Sequence, residues 1–99
     1  MELKDYQDGI EKLNSALRGL ALGAGDIVSR MVAIRKHELT QIWQHNMPGD
    51  MWFDVKRMMQ RIDAPDFTVE EAVTLADSLF KMKARLKDEC AVTPQHIWV

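Results

Sequence analysis

A chain of 99 residues, 46% hydrophobic and 28% charged, is too apolar for intrinsic disorder and too short for two independent cores, so one domain over 1–99 is expected. Its net charge of −2 lacks the excess of Lys and Arg needed to grip phosphate backbones by bulk attraction. No run approaches the roughly 18 apolar residues of a membrane span, and the single Cys90 excludes an internal disulfide.

The opening Met1-Glu2-Leu3-Lys4-Asp5 mixes both signs of charge and has no basic segment leading into an apolar one. No secretory signal is read there, and a cytoplasmic location is expected. From Leu3 the apolar residues recur alternately three and four apart: Tyr6, Ile10, Leu13, Leu17, Leu20, Ala24, Ile27, Met31 and Ile34. That spacing draws one helical stripe. Gly19, Gly23 and Gly25 would together cost about 3 kcal/mol relative to alanine inside a helix. Two readings follow: a break at Gly23-Ala24-Gly25 with Asp26 capping a second helix, or one long, kinked helix. The break is favoured.

After Ile34 the phase slips to Leu39, Ile42 and Trp43, and helix is expected to continue to about Asn46. Pro48 and Gly49 stop it, and Asp50 is the expected cap of the next helix. Met51 to Ile62 set Trp52, Val55, Met59 and Ile62 on one stripe with Met58 beside it. Thr68-Val69-Glu70-Glu71 reads as a capping box, in which Thr68 caps and Glu71 reaches back to its amide. The last helix carries Ala72, Leu75, Leu79, Met82 and Leu86, joined by Val73, Ala76 and Phe80 in a broad apolar face that predicts two neighbours. The chain therefore reads as all-α: a compact helical bundle of four helices in up-down order, or of three with one long N-terminal helix. Residues 93–99 form an apolar C-terminal tail.

Charge is unevenly placed. From Asp63 to Asp77 every charged residue is acidic, and from Lys81 to Lys87 every one is basic, as a helix obeying its dipole would arrange them. His37 and His45, eight apart on an expected helix, would lie about 12 Å from each other, too far to share an ion. Cys90 lies among Asp88 and Glu89, whose charge disfavours a thiolate. Neither a nucleophile signature nor a phosphate loop occurs, so no catalytic residue, metal or cofactor is expected.

In length and helix pattern the chain is similar to the helical chorismate mutases, and that resemblance would make Arg18 and Arg35 a pair of guanidinium groups for a dicarboxylate. It stops there. Asn46 stands where a lysine would be expected, and Val55, Met58 and Met59 stand where polar contacts would be. The chain also resembles the helical-hairpin substrates of type VII secretion in length and in a central tryptophan, but Trp43-Gln44-His45 lacks their Trp-x-Gly turn. No residue role is carried over from either family.

Large apolar side chains crowd the middle connection. Trp43, Met47, Met51, Trp52 and Phe53 fall close together, and Trp98 stands in the tail. Aromatic and methionine side chains of this kind anchor protein interfaces. Trp52 and Phe53 differ by about 100° around a helix, so burying both against one neighbour is difficult. The expected function is that of a non-enzymatic interaction module that binds and modulates or inhibits a protein partner, a type common among phage and mobile-element products that act on host complexes. Self-association is expected as well. The alternative is a nucleic-acid-binding protein using a local basic strip of Arg57, Arg61, Lys81, Lys83, Arg85 and Lys87.

Overall fold

The computed structural model describes residues 3–92. Among them are four helices: α1 (Leu3–Leu22), α2 (Ile27–His37), α3 (Gly49–Asp63) and α4 (Val69–Val92). Two short 3₁₀ turns, Leu39–Gln41 and Gln44–Asn46, join α2 to α3, and no strand is present among the described residues. The tail 93–99, with Trp98, lies outside the described residues.

The glycine cluster does break the first stripe. Gly25 sits at φ +89°, a left-handed conformation that side chains rarely adopt. Asp26 follows in extended geometry, and its Oδ1 accepts the Ser29 N–H at 2.8 Å. This bond satisfies one of the orphan donors of α2. Arg35, Lys36 and His37 occupy the last turn of α2, where the dipole favours cations.

Helix does not continue to Asn46 as the sequence suggests. It ends at His37, and His45 therefore lies in a 3₁₀ turn instead of on the helix of His37. Burial is the reason. A continued α-helix would put Leu39 about 140° around the axis from Ile34, whereas the two tight turns leave Ile34, Leu39, Ile42 and Met47 buried in the same core. Packing here overrides local propensity.

The helices alternate in direction. The C-terminal half of α4 approaches the N-terminal ends of α1 and α3: a Cβ placed on Gly9 would meet Leu86 Cδ2 at 3.1 Å, and Arg85 pairs with Asp50. At the opposite end Arg35 meets Asp63 at 2.8 Å, and Arg61 meets Glu71 at 2.7 Å. α1 packs on α2 and α4, and α3 completes the bundle against α2 and α4. The result is the four-helix up-down arrangement. Leu13 and Leu17 of α1, Met31 and Ile34 of α2, Val55 and Met58 of α3, and Leu79 and Leu86 of α4 meet in one core. No helix among the described residues is long and apolar enough to cross a membrane.

Four local expectations need correction. Asp50 is not a cap: α3 starts at Gly49, the Pro48 carbonyl accepts the Trp52 N–H at 3.0 Å, and the Asp50 carboxylate turns to Arg85. Only half of the Thr68 capping box forms. Thr68 Oγ1 accepts the Glu71 N–H at 3.2 Å, but the Glu71 carboxylate takes two bonds from Arg61, at 2.7 and 2.8 Å, because a bidentate charged pair outcompetes a single backbone amide. Finally, α4 buries a narrower face than expected: Ala72, Leu79, Met82 and Leu86 are buried, while Val73 and Phe80 are exposed. In α3 the buried row is Met51, Val55, Met58 and Ile62, one step round the helix from the expected stripe, with Trp52 and Met59 half-buried.

Candidate partner-binding surface

The connection between α2 and α3 is built around one polar side chain. Asn46 is 1% exposed, and every polar atom of its amide is engaged. Its Oδ1 accepts the Trp43 N–H at 2.8 Å and a Lys12 Nζ donor at 3.3 Å, and its Nδ2 donates to the Asp5 carbonyl at 2.8 Å. A buried amide left without partners would cost about 1–3 kcal/mol, so this network defines one position for the connection on α1. Gly9 makes that position accessible, since a Cβ there would lie 2.4 Å from the Asn46 carbonyl oxygen.

With its backbone held by Asn46, Trp43 leaves 61% of its surface exposed. Met47, four residues on, is fully buried, and so is Met51 in the first turn of α3. These two methionines, expected as contact residues, are core residues lying beneath the surface. They offer support where the sequence reading put contact.

Trp52 and Phe53 divide as their 100° separation requires. Trp52 is half-buried against the core, and Phe53 is 61% exposed. Lys56 lies one turn on, with Nζ 5.7 Å from the centre of the Phe53 ring, within reach of a cation–π attraction. A shallow cleft of about 440 Å³ opens here, lined by Gln44, His45, Met47, Trp52, Phe53 and Lys56. On the other side of Phe53 a second open depression is lined by Asp50, Phe53, Asp54 and Arg57. Phe53 is thus a ridge between two hollows. Trp43 stands on the same connection but does not line either one.

The six cations of the expected basic strip are mostly engaged. Arg57 pairs with Asp54, Arg61 with Glu71 and Asp66, Lys81 with Asp77, and Arg85 with Asp50. The hydrogen bonds that Arg61 donates to Glu71 raise the pKa of Arg61, and the one that Lys81 donates to Asp77 raises the pKa of Lys81. Asp50 is held below the usual carboxylate range by its bond from Arg85. Lys83 and Lys87 remain. A groove of about 430 Å³ between α3 and α4 has Met51, Met58, Leu75 and Met82 along its floor, and both charge signs, Asp54 with Arg57, Lys81 and Arg85, on its rim.

Arg18 is exposed on α1, while Arg35 on α2 is bound to Asp63. Burial first, and then the charge of Glu89, push the Cys90 thiol pKa upward. Among the described residues no three His, Cys, Asp or Glu side chains form a group that could hold a metal ion.

Asn46 and Gly9 are the residues that sequence reading missed. Apart from the Trp43 amide, the partners of the Asn46 side chain lie 34 and 41 residues away, so no local pattern marks them. Asn46 closes a run of three polar residues, Gln44-His45-Asn46, and nothing in that run singles it out. Against known proteins, the chain matches no protein-family model, no curated protein and no solved structure.

Proposed function

We propose that this chain is a non-enzymatic binding module that modulates or inhibits a protein partner through the α2–α3 connection and the start of α3. The observation that carries the reading is two exposed aromatic rings ten residues apart in the chain, Trp43 on a backbone held by the buried Asn46 network and Phe53 in the second turn of α3. Aromatic anchors on a rigid support lose little entropy on binding and supply much of an interface's affinity. The cleft beside Phe53 has Lys56 and His45 as its ionisable lining, which suits a partner offering an apolar side chain next to an acidic group. Nucleic acid is the weaker reading, because four of the six candidate cations are already matched by carboxylates.

The test is comparative capture. A protein enriched on the wild-type chain should be lost on Phe53→Ala and Trp43→Ala at unchanged far-UV circular dichroism. Capture that survives both substitutions would refute the assignment of this surface.

A further inference from the structure

The groove between α3 and α4 stays open because α4 packs chiefly on α1 and only lightly on α3. Its floor is Met51, Met58, Leu75 and Met82, and every charged side chain on its rim already has a partner: Asp54 pairs with Arg57, Lys81 with Asp77, and Arg85 with Asp50. An ionic ligand would have to compete for those charges. The groove therefore suits an uncharged, apolar occupant, to which methionine side chains adjust readily.

Helix register leads the chain to this groove. Leu75, Ser78, Met82, Arg85, Glu89 and Val92 recur at spacings of three and four residues along one side of α4, and the first four line the groove. α4 thus ends on the groove side, about 10 Å past Arg85. Next in the chain come Thr93-Pro94-Gln95-His96-Ile97-Trp98-Val99, with no Asp, Glu, Lys or Arg and with three large apolar side chains in succession. Pro94 disfavours helical geometry at Thr93. Four extended residues from Pro94 to Trp98 span about 13 Å, the axial length of about nine helical residues, so a chain that doubles back at Pro94 brings Trp98 level with Arg85.

We propose that residues 93–99 are the occupant, doubling back at Pro94 so that the Trp98 ring rests on Met51 and Met82 at the end of the groove where Arg85 meets Asp50. A thioether beside an aromatic ring is a favourable contact. Attachment to α4 keeps the segment at an effective concentration on the order of millimolar, so contacts too weak to hold a free peptide hold this one.

Disulfide trapping in the full chain, in a Cys90→Ser background, tests this. Val99→Cys combined with Lys81→Cys on the groove rim should close an intramolecular disulfide. Val99→Cys combined with Lys87→Cys, which is nearer to Val92 but about 160° around α4 from Arg85, should react at least about tenfold more slowly. Asp54→Cys on the opposite rim replaces Lys81→Cys should that variant unfold. Adding Trp98→Ala should slow the first pair about tenfold and abolish its advantage over the second. By itself, Trp98→Ala should lower the melting temperature by about 4–8 °C at unchanged helicity. Equal trapping of the two pairs, faster trapping with Lys87→Cys, or a disulfide dimer in place of the intramolecular bond would overturn the proposal. So would an unchanged melting temperature in Trp98→Ala.

Discussion

The two connections that reverse the chain inside this bundle are built on different principles. Residues 23–26 make their turn from local chemistry: Gly25 supplies a left-handed backbone and Asp26 caps the helix that follows. The stretch from Glu38 to Pro48 turns twice through 3₁₀ geometry, sends Leu39, Ile42 and Met47 inward, and is tied by Asn46 to the distant Asp5 and Lys12. The first connection exposes small and polar residues. The second holds Trp43 outward on a supported frame and leads into α3, whose second turn carries the exposed Phe53. The proposed binding role rests on this difference: only the second connection holds an exposed aromatic ring on a buried amide network.

That contrast can be broken most severely at its support. Gly9→Ala forces a methyl group against the Asn46 carbonyl and should destabilise the fold by about 1–3 kcal/mol, read from chemical denaturation. Asn46→Ala leaves the Trp43 amide unpaired, removes a second donor from the helical Asp5 carbonyl, and should cost a similar amount, about 1–3 kcal/mol. Either variant retaining wild-type stability would show that the long connection is not held from α1.

Smaller effects separate the two turns. Asp26→Ala removes a cap bond at the short connection and should lower stability by about 1 kcal/mol. Phe53→Ala and Trp43→Ala, at exposed positions, should stay within about 0.5 kcal/mol of wild type in stability.

Acid gives the smallest and most gradual effect. Both Asp26 and Asp50 are held below the normal carboxylate range, Asp26 by the Ser29 amide and Asp50 by Arg85. A depressed folded-state pKa stabilises the protein above the unfolded value, about 3.9, and that contribution disappears as pH falls through the folded value. The denaturation midpoint should therefore decline below about pH 5, and Asp50→Asn should flatten the decline. A midpoint that rises on acidification would contradict these pairings.

The local features of this fold were legible in the chain, and the distant ones were not. The 3.6-residue stripe through Leu13, Leu17, Met31 and Ile34 marks core positions, and Gly25-Asp26 carries its turn in its own chemistry. The adjacency of Trp52 and Phe53 likewise anticipates that one ring stays exposed. By contrast, the end of α2 at His37 follows from burial of residues that come later, which helix propensity at Glu38 to Asn46 does not encode. Met47 and Met51 resemble contact residues by type, and only the packing places them beneath the surface. Val73 and Phe80 fail in the opposite sense: their periodicity matches a core face, but among the described residues α4 packs on α1, α2 and α3 through other positions and leaves these two exposed.

The sharpest single measurement is calorimetric titration of a captured partner against variants from each connection, with thermal melts of the same samples. The account requires the two readouts to separate: Asp26→Ala lowers the melting temperature and leaves affinity unchanged, while Phe53→Ala and Trp43→Ala weaken binding about tenfold or more at an unchanged melting temperature. Affinity that follows melting temperature in every variant would mean that the aromatic rings of the long connection serve the fold and not a partner.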